Sequence, residues 1–180
     1  MHVSGYALLW VAAALLAQVV AAAPAGMAAG TDCAEATTPT ERNRCIVDGA
    51  FRQWASGGRG FFDRVLAPEV VWTIEGSGPH AGTLHGREAL MARAVQPLAS
   101  RLSTPLRPLQ WQVWADGAHV IVQWEGAGRV RAGGEYRNRY AWIMRMHEGK
   151  AVQVNAFLDL PRYGEALQGG PAQVAGGAGT

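Results

Sequence analysis

The stretch Glu135-Tyr136-Arg137-Asn138-Arg139-Tyr140-Ala141-Trp142-Ile143-Met144-Arg145-Met146-His147, followed by Glu148-Gly149 and then Lys150-Ala151-Val152-Gln153-Val154-Asn155-Ala156-Phe157-Leu158-Asp159, reads as two long strands joined by a tight turn. Aromatic and β-branched residues fit a pleated, half-buried surface, and a polar residue followed by Gly suits a two-residue hairpin loop. With Glu148-Gly149 as that loop, His147 faces Lys150. The same register sets Asn138 opposite Asp159, Tyr140 opposite Phe157 and Trp142 opposite Asn155. One face of the hairpin is then polar and aromatic. The other carries Ala141, Ile143, Val154, Ala156 and Leu158.

Working backwards, residues 109–115 and 119–126 are further β-rich runs. Asp116-Gly117 and Gly133-Gly134 separate the strands as turns. Before these the pattern changes period. Thr38 with Glu41 makes a capping box, Pro39 suits the first helical position, and Ile46, Val47, Ala50, Phe51 and Trp54 form a helical stripe ending at Ser56-Gly57-Gly58. A short second helix carries Phe61, Phe62, Val65 and Leu66, and Pro68 stops it. Residues 69–75 read as a strand, followed by a Gly-rich turn at 76–79. Gly86 precedes a third helix with Leu90, Ala94 and Leu98 on one face, bent or ended by Pro97. Helices first and an antiparallel meander last is an α+β pattern. From Pro161 the chain is expected to leave the sheet.

At the N-terminus, residues 7–23 are an apolar run broken only by Gln18, and Ala23-Pro24-Ala25 fits a small-x-small cleavage site. This predicts a signal peptide over 1–25, with an uncleaved anchor as the alternative, since the n-region lacks Lys and Arg. A lead-in segment (26–38), one domain (39–167) and a disordered Gly/Ala-rich tail (168–180) follow. Cys33 and Cys45 are the only cysteines. In the oxidising periplasm or outside the cell, a pair this close is expected to form a disulfide.

After removal of signal and tail, roughly 130–145 residues remain, about one domain. Hydrophobic residues make up 49% and charged residues 17%, too apolar for a disordered chain. Six of the seven tryptophans follow the signal, so wide apolar surfaces must be buried or kept for a ligand. The net charge of +2 comes from scattered basic residues. Arg137, Arg139 and Arg145 fit the solvated side of a strand better than a phosphate footprint, so no nucleic-acid partner is expected. No His and carboxylate group has metal-ligand spacing, and no cofactor motif is present, so neither a metal nor a cofactor is expected. After signal removal no membrane span is expected.

Two stretches resemble the SnoaL-like branch of the nuclear transport factor 2-like superfamily, the fold of ketosteroid isomerases and polyketide cyclases. The first runs Phe61-Phe62-Asp63-Arg64-Val65-Leu66-Ala67-Pro68-Glu69-Val70-Val71-Trp72-Thr73-Ile74, continuing to Ala81-Gly82-Thr83 and Gly86-Arg87-Glu88-Ala89-Leu90. The second runs from Tyr136-Arg137-Asn138-Arg139-Tyr140 to Ala156-Phe157-Leu158-Asp159. The resemblance implies a cone-shaped α+β barrel, with N-terminal helices packed in a curved, mainly antiparallel sheet. It also implies a deep pocket, and homodimers through the outer sheet face.

For chemistry, the resemblance divides. In SnoaL-type cyclases an acidic general acid/base at the end of the last strand matches Asp159, which can equally cap the turn that follows. The acidic donor and base of ketosteroid isomerases fall at about Ala141 and Thr73, neither of them acidic. The Asp–Arg–Asp group of epoxide hydrolases is incomplete. His80 is a second candidate proton carrier. Trp72, Thr73, Asn138, Tyr140, Trp142 and Phe157 are expected to line the ligand pocket. Two readings follow: an exported module that binds a small hydrophobic molecule without catalysis, or an acid/base enzyme of cyclase, isomerase or epoxide hydrolase type using Asp159.

Overall fold

The structure, a computed structural model, describes residues 33–169. The expected signal peptide, most of the lead-in segment and residues 170–180 of the expected tail lie outside the described residues. A single 3-10 turn, Cys33–Glu35, leads into helix α1, Pro39–Ala55. The capping box is formed: the Thr38 hydroxyl accepts the Glu41 amide, and the Glu41 carboxylate accepts the Thr38 amide. The Thr37 hydroxyl, which also donates to this carboxylate, and then Thr38 hold the Glu41 carboxyl below its ordinary range. Cys33 and Cys45 are joined as a disulfide, which ties the lead-in turn to α1.

Helix α2, Phe61–Val65, is one short turn. Its last carbonyls are held by the Lys150 ammonium, which receives none but donates to Asp63 O and Arg64 O. Strand β1, Leu66–Ile74, starts directly after it, and β2, Gly82–His85, pairs with it antiparallel. The sequence gives no periodic signal for β2, because it is four residues long, Gly82-Thr83-Leu84-His85, and opens on a glycine. Next come α3, Arg87–Leu90, a π-helical turn, Met91–Val95, and α4, Gln96–Arg101. The wide turn lies just before Pro97. A proline ring in a regular α-helix would press on the carbonyl four residues back, and the wider turn relieves this without ending the helical run.

Strands β3, Arg107–Asp116, β4, His119–Arg129, β5, Glu135–His147, and β6, Lys150–Leu158, form the meander. The six-stranded curved sheet has the order β2-β1-β6-β5-β4-β3, and only the β1–β6 pair is parallel. Helix α5, Leu160–Gln168, then folds back and is closed by left-handed Gly169. It ends one residue past the expected domain boundary.

The β5–β6 register departs from the expected one. His147 does face Lys150 and Met146 faces Ala151, but Arg145 faces Gln153, so Val152 is an extra residue. Beyond this bulge Trp142 faces Ala156 and Tyr140 faces Leu158. A one-residue slip exchanges the faces of every later side chain on one strand. Ala156 and Leu158 therefore turn to the concave side, while Asn155 and Phe157 turn to the convex side.

Three rungs cross the concave face. Leu84, Trp72, Val154, Met144, Val120 and Ala115 make the first. Ile74, Ala156, Trp142, Val122 and Val113 make the second, and Leu158, Tyr140, Trp124 and Trp111 the third. The stripe of α1, with Val47, Ala50 and Phe51, packs into this face as the core. Arg107 locks the end of α1 in place: its guanidinium donates to Trp54 O, Gly58 O and Gly57 O at 2.8, 2.9 and 3.1 Å.

Candidate ligand cavity

Between the concave face and the helices lies a cavity of about 350 Å³, within the range of small-molecule sites. The end of α1 contributes Trp54 to its wall, α2 contributes Phe61 and Phe62, and β1 contributes Trp72. Trp124, Tyr140 and Trp142 come from the second and third rungs. Leu90, Ala94 and Leu98 close one side, and Leu160 and Tyr163 of α5 close another. The rings brace one another. Trp124 and Tyr140 stack with centroids 3.9 Å apart and planes 10° apart, and Trp72 meets Trp142 edge-on at 5.1 Å. Gly126 leaves room for this: a Cβ there would lie 2.5 Å from the Trp124 ring.

Behind the cavity wall sits a polar chain. The Asn138 carbonyl oxygen accepts the Asp159 amide at 3.0 Å, and its Nδ2 donates to Asp159 O at 2.9 Å and to the Tyr136 hydroxyl at 3.0 Å. The Tyr136 and Tyr140 hydroxyls are 2.7 Å apart. Burial, only partly offset by hydrogen bonding with Tyr140 and Asn138, pushes the Tyr136 hydroxyl up to about 12. Burial and then the neighbouring Tyr136 hold the Tyr140 hydroxyl well above its ordinary value. Tyr163, also raised by burial, donates to Ala94 O at 2.9 Å. These phenols are neutral at physiological pH. The Trp124 indole N–H is buried with no hydrogen-bond acceptor among the described residues.

Of the residues read from the sequence as a pocket, the structure brings Trp72, Tyr140 and Trp142 together on the wall. Asn138 stands behind it, bracing Tyr136. Thr73 and Phe157 are placed on the convex face instead. Thr73 shares a hydrogen bond with Thr83 there, and Phe157 is 45% exposed. Asp159 is the N-cap of α5: its carboxylate accepts the Arg162 amide at 3.1 Å and pairs with the Arg162 guanidinium at 3.3 Å. It is not among the cavity-lining residues. His80 sits in a separate shallow hollow, edge-on to Tyr163, its imidazole where a side chain on Gly164 would otherwise go.

The sequence reading missed Trp54, Phe61, Phe62, Trp124 and Tyr163 as wall residues. For Trp124 the signal was present, since Val120, Val122 and Trp124 alternate in phase. For Tyr163 it lay in Asp159, Pro161 and Gly169, which mark the start and stop of a helix. Charged residues on the wall are Arg59 and Arg107. Among the described residues no three His, Cys, Asp or Glu side chains gather in one place, and no helix is long and apolar enough to cross a membrane.

A family model described as SnoaL-like domain matches residues 47–154. Solved structures with this fold include a nuclear transport factor 2-like protein from Burkholderia xenovorans LB400, 24% identical, covering 71% of this chain and 97% of that one, with a TM-score of 0.53. Bal32a, from a soil-derived mobile gene cassette, is 17% identical, with 72% and 99% covered and a TM-score of 0.60. A protein of unknown function with a cystatin-like fold from Xanthomonas campestris is 18% identical, with 69% and 96% covered and a TM-score of 0.55. Comparison with curated proteins returns no match.

Proposed function

Since the chain belongs to the SnoaL-like family, a fold that hosts many unrelated activities, we propose that this protein is an exported binding module that holds a small hydrophobic molecule without catalysis of its own. The observation that carries the reading is the cavity wall: rings, aliphatic side chains and neutral phenols, with Arg59 and Arg107 as its charged members and, among the described residues, no carboxylate or imidazole. General acid/base work needs a group that titrates near the operating pH and reaches the reacting atom. The acid/base alternative rests on Asp159, and what weighs against it is that this carboxylate is engaged as a helix cap and ion pair.

Export is supported by the N-terminal apolar run and by the Cys33–Cys45 disulfide, a bond that persists in oxidising compartments. A homodimer is supported by the convex face, where Trp114, Ile121, Ile143 and Phe157 are exposed side by side.

Native mass spectrometry of protein from its own compartment tests the reading. The expected spectrum shows a chain shortened at its N-terminus, lighter by two hydrogens, with a small organic molecule that denaturation releases. A ligand-free spectrum, together with turnover of a candidate substrate that Asp159→Asn abolishes, would instead favour the enzyme.

A further inference from the structure

Arg59 and Arg107 both line the cavity, and neither has a carboxylate partner among the described residues. Arg107 directs three of its five N–H donors to Trp54 O, Gly57 O and Gly58 O. Carbonyls orient a guanidinium but carry no net charge, so the positive charge of Arg107 is not neutralised by them. Carboxylates on the flanking helices are engaged elsewhere. Asp48 of α1 pairs with Arg52 and accepts the Trp111 indole N–H, and Asp63 of α2, close to Gly60, pairs with Arg87.

The loop that carries Arg59, Gly57-Gly58-Arg59-Gly60, joins α1 to α2 and is held on both sides. Gly57 and Gly60 take left-handed φ values of 102° and 79°. The Gly58 amide donates to Gln53 O at 2.8 Å, so close that a Cβ on Gly58 would lie 2.6 Å from that oxygen. Arg107 grips the Gly57 and Gly58 carbonyls from β3. A loop fixed in this way presents Arg59 at the cavity rim. The residue is exposed, and its guanidinium makes no hydrogen bond or ion pair with a described residue. Further in, the wall is made of rings and neutral phenols, where a bare charge is costly to desolvate. An anionic group therefore fits at the rim, with an apolar body inside.

We propose that the rim is an anion seat: Arg59, in the field of Arg107, binds a carboxylate at one end of a molecule whose apolar body lies in the cavity. A guanidinium presents paired donors that match a carboxylate, and the low-dielectric wall beside it strengthens the attraction. This inference rests on the cavity being a ligand site, and the test separates the two. The probes are 2-naphthoate, 2-naphthamide and 2-naphthylmethylammonium, flat bicycles of similar outline that are anionic, neutral and cationic at about pH 7. Equilibrium dialysis of the full chain at low salt is expected to show 2-naphthoate bound roughly tenfold tighter than 2-naphthamide, as a charge-assisted hydrogen bond allows, with the cation bound weakest. Arg59→Gln, a change at an exposed loop position, should bring the ratio of anion to amide to about threefold or less. Arg107 is left intact because changing it would also release the loop. In the unaltered protein, raising the salt from about 20 mM to about 500 mM should narrow the same ratio, since a charge at the rim is screened, and this readout needs no variant to fold. If none of the probes binds, the cavity reading falls and takes this inference with it. If anion and amide bind equally, if the cation binds as tightly as the anion, or if the preference survives both Arg59→Gln and high salt, the cavity reading stands and this inference alone is overturned.

Discussion

The two faces of the sheet are built from the same kinds of residue and have opposite fates. On the concave side Trp72, Trp124 and Trp142 are buried against α1, α2 and one another. On the convex side Trp114, Ile121 and Ile143 lie on one rung, continued by Asn155, Thr73 and Thr83. Its apolar members are about two-fifths exposed. Hydrophobicity alone therefore does not say which face holds the core. What differs is what covers each face: helices and the cavity on one, and among the described residues nothing on the other. The concave face should carry the stability of the monomer, and the convex face its association.

The largest effect should come from the concave side. Trp142→Ala removes a buried ring that touches Phe61, Trp72 and Trp124, and should cost about 3–5 kcal/mol in urea denaturation. A cost under about 1 kcal/mol would mean that the cavity side is not the core.

Alkaline pH should also act on the concave side, because Tyr136, Tyr140 and Tyr163 all lie there. The Tyr136 hydroxyl has its ordinary value near 10 in an unfolded chain and about 12 in the fold. Below pH 10 both states are protonated and the contribution is intact. Between those values only the unfolded chain ionises, so stability should fall by about 3 kcal/mol and then level off. Tyr140 and Tyr163 act in the same direction. Urea midpoints that stay constant from pH 9 to 12 would contradict the buried phenol network.

A smaller effect should come from the helix that closes the concave side. Asp159→Ala removes the cap of α5 and should cost about 1 kcal/mol, while Asp159→Asn, which can still cap, should cost only a few tenths. Equal and large losses from both variants would show that the carboxylate does more than cap.

The smallest effect on monomer stability should come from the convex side. Ile143→Lys should change the stability of dilute protein, read from urea denaturation, by less than about 0.5 kcal/mol, yet shift the mass measured by light scattering at tens of micromolar from dimer to monomer, near the concentration where a standard interface holds. A monomer in the unaltered chain would break the comparison from the other end.

Much of the fold is legible because its signals are local. Thr38 and Glu41 are three residues apart and announce α1 by reciprocal bonds. Strands β5 and β6 end where Glu148-Gly149 and the flanking runs place them. The site is less legible. Trp72, Tyr140 and Trp142 can be picked out by strand alternation, but Phe61, Phe62 and Tyr163 reach the wall only because α2 and α5 fold over it. Asp159 has the same sequence signature as a proton carrier and as a helix cap, and its surroundings decide between them.

What the sequence determined by itself is most of the elements, β2 and α5 excepted, their order, the nearness of Cys33 to Cys45, and the alternation that gives each strand two distinct faces. Each depends on residues within a few positions of one another, or on a period that the backbone geometry imposes. What only the tertiary structure decided is which of those faces is the inside. The extra residue Val152 changes the β5–β6 register after Met146, and no local preference marks it. A bulge is chosen by the packing of whole faces, because one residue of slip carries every later side chain on β6 across the sheet. Phe157 therefore turns to the convex side and Leu158 to the cavity.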